Sequence, residues 1–205
     1  MKKIMFNDRY GLTQAVLEGR KTMTRRVIPL TDVDRHYLDT AFDWDFREMV
    51  ISDRYSRYMV NEIVAVAQSY HALNKAGYVA PEWLDHTCES SAGYKNKMFV
   101  RADLMPHRIR ITNIKVERLQ DISDEDCLKE GVQKGFIGYY VDGLKTKDWE
   151  KESHFETADG KTFKLFPYPQ EAFAALIDKV CGKGTWDSNP YVFVYEFELL
   201  KGGMK

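Results

Sequence analysis

Five separated runs of this chain read as β-strand, and no regular alternation of strand and helix joins them. Lys3–Phe6 is a short apolar run, residues 22–28 extend towards Pro29, and Asn61–Tyr70 (NEIVAVAQSY) is apolar through its first half. From Arg108 to Val116, isoleucines and a valine are spaced by charged residues, and Tyr191–Leu200 is strongly β-prone. Three helical patterns accompany them: Leu12, Ala15 and Val16; a turn after Ser123; and Pro169–Cys181 with a stripe of Phe173, Leu176, Ile177 and Val180. Without βαβ alternation a parallel sheet is not expected. The pattern predicts an α+β fold whose sheet curls into a small barrel, with flanking helices.

The 205 residues suffice for one domain with a sizeable core. Residues 31–58, 71–97 and 133–166 break the pattern, so the reading is a single domain over 1–205 with insertions there. The first contains some helix, the second is rich in loops, and the third carries a hairpin around Asp159-Gly160. No run approaches a membrane span, and Met1–Asn7 is too poor in apolar residues for a signal-peptide core, which places the chain in the cytoplasm with no membrane partner. Cys88, Cys127 and Cys181 are scattered, which suggests reduced thiols. His86-Thr-Cys88 offers two metal ligands with no second pair at ligand spacing, so neither metal nor cofactor is expected.

Formal charge is −1, so the chain is not a generally basic nucleic-acid binder. Residues 1–30 nevertheless hold seven Lys/Arg against Asp8 and Glu18, an excess of five. Most of it lies in GRKTMTRR, residues 19–26. Gly19 sits where a helix C-terminus wants positive φ. Beyond it Thr22, Thr24, Arg26 and Ile28 fall on one face of a strand and Met23, Arg25 and Val27 on the other. A second local signal is Ser123 with Asp126 three residues on, which opens a short helix through Glu130 that Gly131 closes. A hydroxyl such as Thr24 attacks a carbonyl only when a base takes its proton, and neighbouring arginines together with burial favour the neutral, basic form of Lys21.

Three segments in order resemble the ASCH family, whose fold is similar to the PUA RNA-binding domain: VLEGRKTMTRR (16–26), VERLQDISDEDCLKEGV (116–132) and WDSNPYVFVYEFEL (186–199). The resemblance is to the larger members carried by phages and prophages, in which G-D-x-L-x-V-R-E is usual where this chain reads NEIVAVAQ, ending in Gln68. It implies RNA or a modified nucleoside as ligand, bound in a basic cleft by Arg20, Thr22, Arg25 and Arg26. Asn189 and Tyr191 are further ligand-binding candidates. The family also contains enzymes that hydrolyse N4-acetylcytidine with a lysine, a threonine and a glutamate. Matching motifs carry those roles onto Lys21, Thr24 and Glu130, which makes an amidohydrolase the alternative to a binding module.

Overall fold

The computed structural model describes residues 1–40, 44–78, 90–146, 152–157 and 160–200. His86, Cys88, Asp159 and residues 201–205 lie outside them. Strands are β1 (Lys3–Ile4), β2 (Met23–Val27), β3 (Ile63–Val66), β4 (Arg108–Arg118), β5 (Gln133–Lys134), β6 (Tyr139–Tyr140), β7 (His154–Glu156), β8 (Thr162–Lys164) and β9 (Tyr191–Leu199). Helices are α1 (Leu12–Leu17), α2 (Asp32–Thr40), α3 (Trp44–Tyr55), α4 (Tyr70–Lys75), α5 (Asp124–Lys129), α6 (Pro169–Cys181) and α7 (Thr185–Ser188). The fold is α+β. Five strands form the main sheet in the order β1-β3-β4-β9-β2, and β5-β6 and β7-β8 are separate hairpin pairs.

The centre of the sheet is the pairing of β4 with β9, antiparallel from Ile109 opposite Leu199 to Arg118 opposite Tyr191, with an irregularity between Ile111 and Asn113. β2 runs antiparallel on the other side of β9 and sets Thr24 opposite Tyr195. Apolar side chains of these strands and of α1 and α6, among them Val16, Ile109, Val192, Val194 and Phe173, make one continuous buried cluster. A smaller cluster forms where Ala65, Ala67, Tyr70 and Leu73 meet Val100 and Met105.

Local chemistry accounts for the elements that carry the candidate site. α1 stops because Gly19 turns to φ +74°, and the amides of Arg20 and Lys21 both close onto Ala15 O at 2.9 Å. Ser123 Oγ accepts the Asp126 amide at 3.1 Å and starts α5. Gly131 ends that helix at φ +110°, where a Cβ would stand 2.9 Å from Leu12 Cδ2. Pro169 occupies the first turn of α6, the position at which its missing N–H costs nothing. Phe173, Leu176 and Ile177 of that helix are buried, and Gly182 follows it at φ +117°.

Several expectations need correction. The main sheet is not purely antiparallel, because β1 pairs parallel with β3, Lys3 opposite Ala65. Long connections make that possible, since the chain crosses the sheet and two inserted helices before β3 begins. The expected strand 61–70 covers only Ile63–Val66, because Asn61 is left-handed at φ +67° and Ser69 Oγ accepts the Ala72 amide, starting α4 at Tyr70. More than three helices are present: α2 and α3 fill the first insertion, while α4 and α7, of six and four residues, are too short to show an amphipathic period.

The sheet does not close into a barrel. β1 and β2 are its edges, and their ladders do not meet. Instead Arg26 of β2 reaches over the gap, donating from Nη2 to Met5 O at 2.7 Å just beyond β1. Among the described residues no helix is long and apolar enough to cross a membrane.

Candidate functional site

Lys21 emerges from the turn after α1 and points inward, with its side chain 2% exposed. Its ammonium donates to Met23 O and Glu130 O, each at 2.7 Å, and to Glu130 Oε2 at 2.6 Å. Three donors meet three acceptors, so the group is satisfied as a cation. Glu130 is the residue that ends α5, and its other oxygen, Oε1, accepts from Arg25 Nη1 at 3.3 Å. Arg25 continues the network: Nε and Nη2 donate to Glu117 Oε1 at 2.9 and 2.6 Å, and Nη2 to Asp126 Oδ2 at 3.1 Å.

Burial pushes the Lys21 ammonium below its ordinary range; Glu130 opposes that shift, and the charges of Arg26 and Arg25 add to it. For Arg25, burial acts downward too, but Glu130 and Glu117 outweigh it and the guanidinium is held above its usual value. Burial would raise Asp126, yet hydrogen bonds from Arg25 and Lys129 hold it below the usual carboxylate range. The pair that matters chemically is therefore Lys21 and Glu130. A proton moved from one to the other leaves a neutral amine beside a carboxylic acid, with no change in total buried charge.

Lys21, Thr24, Arg26 and Glu130 line one cavity of about 40 Å³, roofed by Phe173, Leu176, Ile177 and Val180 of α6. Thr24 is 4% exposed, and its hydroxyl makes no hydrogen bond with the described residues. That volume exceeds the ~10–15 Å³ that one water needs, so the cavity has room for a small group. It shares Phe6, Asn7, Arg26 and Val180 with an outer cleft of about 590 Å³. Arg26 also lines a pocket of about 260 Å³ in the gap between β1 and β2.

The remaining sequence candidates are not all brought together. Arg20 is paired at the surface with Glu18 at 2.7 Å. Thr22 acts through its backbone, donating to Lys129 O at 3.0 Å and accepting from Phe197 N at 2.8 Å, and so joins α5, β2 and β9. Arg25 lines the cavity, but its side chain is 0% exposed and spent on three carboxylates, which leaves it to anchor Glu130 and not to bind a ligand.

Asn189 and Tyr191 stand apart from the cavity. Asn189 Oδ1 accepts the Gln120 amide at 2.9 Å, and Tyr191 donates to Asp39 at 2.8 Å beneath the Arg118 guanidinium, 3.9 Å from its ring. Tyr191 lies four residues along β9 from Tyr195, the partner of Thr24, which is about 13 Å of strand. Both therefore fix the far end of β9.

No family model, curated protein or solved structure matches this chain. The site is accordingly read from its own geometry. Residues that sequence reasoning did not place there are Glu117 and Asp126, which hold Arg25, and Asn7, Arg9, Lys95 and Lys97, which line the outer cleft. Lys95-Asn96-Lys97 is visible in the sequence as a polar stretch, but nothing local shows that it returns to the N-terminal segment. Among the described residues, no group of three His, Cys, Asp or Glu is placed to hold a metal ion.

Proposed function

We propose that this chain is an ASCH-type, PUA-like protein that hydrolyses a small N4-acyl amide of a cytidine-type nucleoside, with Lys21, Thr24 and Glu130 as the reacting groups. The observation that carries this reading is the enclosed Lys21–Glu130 pair lining one small cavity with the unengaged Thr24 hydroxyl. The base and sugar occupy the outer cleft, and only the amide reaches inward.

In the proposed reaction, Lys21 first passes a proton to Glu130. Thr24 Oγ1 then attacks the amide carbonyl carbon while neutral Lys21 Nζ takes the hydroxyl proton. Arg26 stabilises the resulting oxyanion. Collapse breaks the C–N bond, Glu130 protonates the departing cytosine amine, and an acyl ester remains on Thr24. A water molecule repeats the sequence with the same two groups, restoring the Thr24 hydroxyl and releasing the carboxylic acid.

The neutralisation of the motif's cations favours this reading over a polynucleotide surface. Arg20, Lys21 and Arg25 all face carboxylates, and of the four only Arg26 has none among the described residues. A phosphate backbone needs cations that are not already paired. The test is release of cytidine from N4-acetylcytidine by wild type and by Thr24→Val.

A further inference from the structure

Leu12 of α1 lines the Thr24 cavity, whereas Thr13, Gln14 and Leu17 of the same helix line a different pocket, of about 440 Å³, together with α4. Gln68, just after β3, and His107, just before β4, also line it, and the Val66 amide donates to His107 O at 2.9 Å and ties these two segments together. Gln68 is 8% exposed, and its Oε1 is buried with no hydrogen-bond partner. Nε2 makes no hydrogen bond with the described residues either, and it is not enclosed, so it is the open end of the amide. A buried carbonyl oxygen left unpaired keeps its full desolvation cost, which a ligand N–H would recover. The His107 ring likewise makes no hydrogen bond with the described residues, and Tyr78 meets it edge-on with centroids 5.3 Å apart. Burial pushes this imidazole below its ordinary range, so at neutral pH it offers one donor and one acceptor.

We infer that this pocket is a second ligand site, for an uncharged, flat cyclic amide of pyrimidine size, whose N–H is accepted by Gln68 Oε1 and whose C=O is met by Gln68 Nε2. Rotation about the last torsion of a glutamine is soft, so a small turn of the amide brings Oε1 to the pocket beside Nε2. Tyr78 and His107 supply an aromatic wall for the ring. The lining holds one acid, Asp8, and neither Lys nor Arg, which disfavours a phosphate or carboxylate ligand. Asp8 is already engaged, its Oδ1 accepting from Lys97 and Thr13. The volume falls in the ~300–1,000 Å³ range usual for small-ligand sites. Lys21, Thr24 and Glu130 are not part of this lining, so the inference is independent of the hydrolase reading.

The test is a nuclear magnetic resonance titration of the full chain with uracil, read on the side-chain NH2 signals of Gln68, which are identified by their absence from Gln68→Leu. That variant removes an amide with no hydrogen-bond partner among the described residues, so it should stay folded, and thermal unfolding checks this. The expected result is a saturable shift of these signals. Affinity should be weaker by roughly tenfold or more for 1,3-dimethyluracil, which keeps the flat ring and both carbonyls but has no N–H. Followed on the backbone amides of Tyr78 and His107, uracil should bind Gln68→Leu more weakly by a similar factor and Arg26→Met as tightly as wild type. No saturable shift in wild type, equal affinity for dimethyluracil, or undiminished binding by Gln68→Leu overturns the site. Binding lost in Arg26→Met but kept in Gln68→Leu puts uracil in the Thr24 cleft and equally overturns it.

Discussion

Lys21 Nζ lies 2.6 Å from Glu130 Oε2, although 109 residues separate the two in the chain. The turn after α1 delivers one and the end of α5 the other, and Gly131 leaves room for Leu12 beside them. Side-chain exposures of 2% and 5% put this ion pair inside the protein. Such a pair adds little net stability compared with apolar residues, but removal of one partner strands the other in a poorly solvated place. The proposed acid–base chemistry on the Thr24 hydroxyl would give the pair a role besides stability.

Stability follows from that asymmetry. Glu130→Ala leaves Lys21 without its carboxylate and weakens the anchoring of Arg25, and it is expected to cost about 3–5 kcal/mol in chemical denaturation. Thr24→Val, by contrast, removes a hydroxyl that has no hydrogen-bond partner among the described residues, and stability should change by less than about 1 kcal/mol. A Glu130→Ala variant as stable as wild type would show that the pair is not enclosed.

Arg25→Met should be as damaging as loss of Glu130, again about 3–5 kcal/mol, because Glu117, Asp126 and Glu130 lose a shared cation. Arg26→Met is the informative contrast. Arg26 is only half-buried and gives up one hydrogen bond to Met5, so its loss should cost about 1–2 kcal/mol of stability. Turnover should nevertheless fall by roughly a hundredfold, the scale of a lost oxyanion donor. Equal stability losses for the two arginines would contradict the assignment of one to the interior and the other to the cleft.

These two arginines also show what was legible in the sequence. Strand alternation sets Arg25 and Arg26 on opposite faces of β2, yet both line the inner cavity and only Arg26 also reaches the outer cleft. Which of the two would be enclosed depends on Glu117 and Asp126, residues more than ninety positions away, and no local pattern reports that. Caps were legible for the same reason that alternation was: Gly19, Ser123 and Gly131 act on their own turns. The α6 stripe was visible in its spacing, but its use as a roof over Thr24 is a tertiary fact. Closure of the sheet was misjudged because strand count does not say whether two edges meet, and here a side chain spans the gap. The parallel pairing of β1 was hidden by the length of chain between it and β3.

The buried lysine predicts a pH dependence with a definite sign. Because burial holds Lys21 below its ordinary value, the folded chain gives up this proton at lower pH than the unfolded chain does. Between that lowered value and 10.5 the unfolded state binds more protons, so the contribution of Lys21 to stability rises with pH through the window. Unfolding free energies of wild type and Lys21→Met, measured from neutral pH to 10.5, should show wild type gaining on the variant as pH increases. Parallel curves would contradict a depressed Lys21.

Thiol chemistry gives an independent view of the cavity. Cys127 is buried, and burial pushes its thiol up to about 12, so it should resist alkylation until the chain unfolds. Cys181 is exposed at the end of α6 and lines the cavity. In a Cys88→Ser background, mass spectrometry should find iodoacetamide on Cys181 first, and cytidine, the product of the proposed reaction, should slow that modification. Labelling of Cys127 at a similar rate would contradict the packing of α5.

The central claim is that Thr24 is a nucleophile served by Lys21 and Glu130, and one assay meets it directly. Wild type and Thr24→Val are incubated with N4-acetylcytidine, and cytidine and acetate are quantified by chromatography, with folding of both proteins confirmed by circular dichroism. The account predicts equimolar cytidine and acetate from wild type and a turnover at least about a hundredfold lower for Thr24→Val. Folded wild type that releases no cytidine, or Thr24→Val that retains full turnover, would contradict it.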